Sequence, residues 1–143
     1  MIDNAITERL RADELQAQET FRMFAWRLAT ILDGTFTVRY NSGSGGNVRI
    51  DALAVPFPDS YFGDLSLHDA SKYYRLYGHN WRIRYSPVGS GHRVTNYKLN
   101  PKCADSVARL LTARLHMRLE SKAATDAREA SEVHTATALL DAL

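Results

Sequence analysis

The chain has 143 residues, 45% of them hydrophobic and 24% charged, with a formal net charge of +2; this is about one domain's length and the composition of a chain that folds around its own core, not of a disordered one. Its single cysteine, Cys103, excludes an intramolecular disulfide and a multi-cysteine metal cluster within one chain, and points to a reducing compartment, the cytoplasm. No apolar run is long enough to cross a bilayer, and Asp3 and Glu8 interrupt the stretch where a secretory leader would be apolar, so neither a leader nor a membrane partner is expected.

The helix breakers divide the chain. All eight glycines and all four prolines lie between Gly34 and Pro101, which predicts a single domain over 1–143 made of a helix (1–33), a β region (34–101) and a helical segment (102–143). The first helix is expected to start on Asp3 or Asn4 as N-cap and to stop at Asp33, with Gly34 in the left-handed C′ position. Ile6, Leu10, Ala17, Phe21, Phe24, Leu28 and Ile31 recur at intervals of three and four and should face a sheet. Leu15, Met23 and Trp26 project from another side of the helix and need a cover of their own: the C-terminal helix, or a partner in an interface, including a homodimer.

Within the β region, Thr35 to Asn41 alternates with Phe36, Val38 and Tyr40 on one face, and Asn47 to Val55 puts Val48, Ile50, Ala52 and Ala54 together. Ser42-Gly43-Ser44-Gly45-Gly46 joins them into a hairpin. A second hairpin runs from Asn80 to Leu99 around Pro87-Val88-Gly89-Ser90-Gly91, with Trp81, Ile83 and Tyr85 inward. Between the hairpins, Ser66 and Asp69 resemble a capping box and Leu67, Ala70, Tyr73, Tyr74 and Tyr77 carry helical spacing, which predicts a short helix over 66–77. The expected fold is therefore α+β: an antiparallel four-stranded sheet of two hairpins flanked by long N- and C-terminal helices, in the order αββαββα.

Asn100-Pro101 marks the start of the last helix, since Asn caps well and Pro at the first helical position lacks an N–H that would be unpaired anyway. Val107, Ala108, Leu111, Leu115 and Leu119 form its apolar stripe. Beyond Lys122 only Val133, Leu139 and Leu140 are sizeable anchors, so that stretch is expected to dock peripherally or in an oligomer interface.

Charge carries the functional expectation. Lys and Arg number four against six acids in 1–33, nine against four in 34–102, and five against six in 103–143, so a β region near +5 hides behind the net +2. If the apolar residues above point inward, Arg39, Arg49, Arg82 and Arg84, joined by His92 and Lys98, fall on the opposite face. Planar, permanently charged guanidinium groups suit phosphate, and tyrosines offer stacking surfaces for bases, so the expected ligand is nucleic acid or another phosphate-bearing molecule. The competing expectation is a small inhibitor or adaptor, of the sort mobile elements encode, that docks on another protein or nucleoprotein complex through Leu15, Met23 and Trp26.

The signals for enzymatic chemistry are thin. The loop at 42–46 lacks the Lys-Ser/Thr ending of a P-loop and opens a strand instead of a helix. Asp64 with His68, or Asp69 with His68 or His79, could form an acid–base or metal-ligand pair, but no spacing singles one out. Gly78-His79 and Gly91-His92 resemble the paired histidines of two-histidine phosphoesterases, yet Trp81 and Val94 stand where that family has hydroxyl residues. Cys103, in a first helical turn, has no legible histidine partner. The chain therefore reads as a non-enzymatic binding protein with no cofactor and no metal.

Overall fold

A computed structural model describes residues 2–42, 46–53, 56–57, 60–88 and 94–143. Ala54, His92, residues 43–45 of the first glycine-rich loop and residues 89–91 of the second lie outside the described residues. The chain divides into two compact units, Met1–Arg109 and Leu110–Leu143.

The first unit opens with α1 (Ile2–Ile31), which ends two residues before the expected stop. Thr35 N and Phe36 N both bond back to the Leu32 carbonyl, and Gly34 takes φ +75°, the left-handed residue the helix end requires. Ala17, Phe21, Phe24, Ala25, Leu28 and Leu32 are buried. Ile31 was expected in this stripe but is 42% exposed; Leu32, four residues after Leu28 and already in the closing turn, faces the core in its place. N-terminal to Ala17 the helix buries much less, and residues 11–16 are all exposed.

Five strands follow: β1 (Phe36–Asn41), β2 (Asn47–Ala52), β3 (Ser60–Asp69), β4 (Trp81–Pro87) and β5 (Thr95–Lys98), with α2 (Tyr74–Tyr77) between β3 and β4. All pair antiparallel with their sequence neighbours, in the order β1-β2-β3-β4-β5. The sheet thus has five strands, not four, and the helix expected over 66–77 shrinks to one turn at Tyr74–Tyr77. The element order is αβββαββα. Around Leu65 the strand alternates, with Leu65 buried while Asp64 and Ser66 are not, and β3 pairs with β2 on one side and β4 on the other, which satisfies its backbone. Ser66 and Asp69 are strand residues, and no side chain caps α2.

Gly63 permits the close passage of β3 past β4. It sits at φ +149°, opposite a register shift between Ile50 and Asp51, and a Cβ there would lie 2.6 Å from the Ser86 carbonyl oxygen.

One sheet face meets α1. Val48, Ile50, Leu65 and Ile83 are fully buried on it, Phe36 meets Phe62 edge-on at 5.0 Å, and the buried Tyr85 hydroxyl donates to the Phe62 carbonyl at 3.1 Å. Phe21 bridges to the sheet through Tyr40, at 6.1 Å between ring centroids. Helix α3 (Cys103–Asp141) begins where Asn100 Oδ1 accepts from Lys102 N at 2.9 Å, the cap its Asn-Pro start predicts. Its first turns bury Ala104, Val107 and Ala108, and Arg27 of α1 donates to both Asp105 oxygens at 3.1 and 3.2 Å. In the second unit Met117, Val133, Leu139 and Leu140 are exposed. No helix of the described residues is long and apolar enough to cross a membrane.

Candidate functional site

Strand register assigns the basic side chains to the sheet face turned away from α1. Arg39 pairs with Arg49, Arg49 with Asp64, Ser66 with Arg84, and His68 with Arg82, which in turn pairs with Lys98. Directly opposite residues share a face. Ile83 and Tyr85 are buried, so Arg82 and Arg84, alternating with them, face the other way. Arg39, Arg49, Arg82, Arg84 and Lys98 therefore lie on one face.

They divide into two groups. Arg39 and Arg49 converge on Asp51, which is only 1% exposed: Asp51 Oδ2 accepts from Arg39 Nη2 and, at 3.2 Å, from Nε, and Oδ1 accepts from Arg49 Nε at 3.3 Å. Arg49 also lies 4.4 Å from the centroid of the Tyr61 ring, whose hydroxyl donates to Asp64. Burial, then that hydrogen bond, push the Tyr61 hydroxyl up to about 12. Two arginines and two carboxylates so neutralise one another, and the ring that could have stacked on a base is already covered.

The other group is different. The side chains of Arg82, Arg84 and Lys98 make no hydrogen bond or ion pair among the described residues, and their face neighbours are the uncharged Ser66 and Asn96 together with His68. Arg84 and Lys98 are exposed and Arg82 half-buried. Here the positive charge is uncompensated.

A second cluster sits where β3 hands over to β4. His79 Nδ1 lies 2.6 Å from Asp69 Oδ2, while Asp69 Oδ1 accepts from the backbone N–H of Ser71 at 3.0 Å and of Asn80 at 2.9 Å. Burial pushes the Asp69 carboxyl up, but the hydrogen bonds from His79, Ser71 and Asn80 outweigh it and hold the carboxyl below its ordinary value. The imidazole is stacked on Tyr74 at 5.3 Å and lies against Trp81 at 4.8 Å. Trp81 Nε1 is buried and has no hydrogen-bond partner among the described residues.

Sequence reasoning named Asp69 and His79 as one of several possible pairs; these two come together, and Asp64 bonds Tyr61. Asp51 was missed, although an acid two residues after Arg49 on an alternating strand shares its face. Leu15, Met23 and Trp26 are 57, 53 and 74% exposed. A Glu19–Arg22 ion pair of 2.6 Å lies along the same stretch of helix. His92 lies outside the described residues. Among the described residues no three His, Cys, Asp or Glu side chains gather as a metal site would require.

Comparison of the chain with known protein families, curated proteins and solved structures finds no match.

Proposed function

We propose that the chain is a binding protein that holds nucleic acid by its phosphates on the outer sheet face, at Arg82, Arg84 and Lys98. The observation that supports this is the uncompensated charge of three cations on two neighbouring strands. Guanidinium groups without a carboxylate partner are free to bond phosphate bidentately. Arg39 and Arg49, engaged with Asp51, shape the face without lending it net charge. With the Tyr61 ring covered by Arg49, the face offers phosphate contacts rather than base stacking, so binding should be indifferent to sequence.

The test is anisotropy of labelled single- and double-stranded nucleic acid over a salt series. Three neutralised phosphates predict a slope of about −2 to −3 in log K against log salt, and Arg82→Glu/Arg84→Glu should abolish binding. Absence of binding at low salt would sink this reading.

The 74% exposure of Trp26 favours a second reading: an inhibitor or adaptor that docks on another protein or nucleoprotein complex through Leu15, Met23 and Trp26. Tryptophan is over-represented among residues that dominate interface energies. Such docking would be nearly insensitive to salt and lost in Trp26→Ala, and a homodimer built on the same face would dissociate on dilution in sedimentation.

A further inference from the structure

We propose that the groove floored by His79 binds a small amphipathic anion, a molecule with a single carboxylate or phosphate head and an apolar body, at a site separate from the outer sheet face. Three depressions of about 510, 410 and 260 Å³ lie against α1 between Ile6 and Thr20, and His79 is the one residue common to all three. The two larger ones fall in the range of small-ligand sites.

The imidazole is held in place before any ligand arrives. Asp69 takes Nδ1, two backbone N–H groups fix Asp69, and Tyr74 and Trp81 flank the ring. A ring held on one nitrogen presents the other, and Nε2 has no hydrogen-bond partner among the described residues. With the ring protonated, Nε2–H points a charge-assisted donor at an anionic head while Nδ1–H stays on Asp69.

Charge sets the size of that head. Arg11 and Arg75 line the largest depression with Glu14 as its acid; Arg9 and Arg75 line the next with Asp13. None of these three arginines has a partner among the described residues. Each of these two depressions is left with one surplus positive charge, which suits a single acidic group and disfavours a polyanionic backbone. Leu10 and Leu15 on the helix side of the largest depression, with the Tyr74 ring, supply the apolar wall.

The experiment is a titration of the full chain, with labelled histidine, followed by NMR at the His79 ring nitrogens. Inorganic phosphate, acetate and tetramethylammonium are the probes. A saturable shift with phosphate alone assigns a phosphate head, and one with acetate alone a carboxylate. Arg11→Glu/Arg75→Glu, its backbone spectrum otherwise intact, should weaken either by at least about tenfold. Arg82→Glu/Arg84→Glu should leave the titration unchanged, so failure here and failure of the sheet-face reading are distinguishable. No saturation with either anion, saturation with tetramethylammonium, or an undiminished response in Arg11→Glu/Arg75→Glu would overturn the proposal.

Discussion

The two ends of β3 solve the same problem in opposite ways. Near its start, Asp51 on the neighbouring strand is nearly sealed from solvent and engages two arginines, so charge is consumed within the sheet. At its end, Asp69 gives its oxygens to two backbone N–H groups and a histidine, and the cations of the adjacent β4 and β5 go unpaired. On the outer face, Asp51 thus decides which arginines hold the fold, while the side chains of Arg82, Arg84 and Lys98 meet no carboxylate among the described residues. The two also differ in burial: the Asp51 side chain is 1% exposed and that of Asp69 is 19% exposed.

The largest effect should come from stripping the buried acid of its partners. Arg39→Ala/Arg49→Ala removes both guanidinium partners of the buried Asp51, and urea denaturation should show a loss of about 1–3 kcal/mol; a loss below about 0.5 kcal/mol would mean water replaces both arginines at Asp51. Next in size is Asp69→Asn, which keeps an acceptor but weakens the bonds that tie the β3–β4 connection, for about 1 kcal/mol at neutral pH. The Asp69 carboxyl is held below its ordinary value, so its contribution is complete above the unfolded-state pKa and is lost as pH falls through the folded one. The wild-type and Asp69→Asn stabilities should therefore converge in acid, and a gap that stays constant would mean that the hydrogen bonds of the charged form matter little. The smallest change in stability belongs to Arg82→Glu/Arg84→Glu, within about 0.5 kcal/mol, as for surface substitutions without partners. That variant should nevertheless lose nucleic acid, which would separate the free arginines from the structural pair.

Much of this architecture is legible in the residues themselves. The periodicity of Phe21, Phe24 and Leu28, the Gly34 stop and the Asn100-Pro101 start all mark helix limits by local chemistry. β3 was not legible as a strand. Gly63 interrupts its apolar pattern at the point where β4 passes closely, and Ser66 with Asp69 mimics a capping box whose spacing a strand end can also carry. Tertiary pairing on both edges decided the matter, and pairing is not written in a local window. The site divides along the same line. Strand parity sorts arginines to a face, but the convergence of Arg39 and Arg49 on Asp51 depends on register, as the Asp69–His79 contact depends on a connection that folds back on itself. Neither is a property of spacing alone.

The strand order carries a kinetic consequence. Because spatial order equals chain order, each strand finds its partner immediately next along the chain, and loop-closure entropy stays small throughout sheet assembly. The Arg27–Asp105 contact spans 78 residues. Docking of the first turn of α3 on Arg27 therefore closes a long loop, so the meander zips up quickly and this contact is the step that waits.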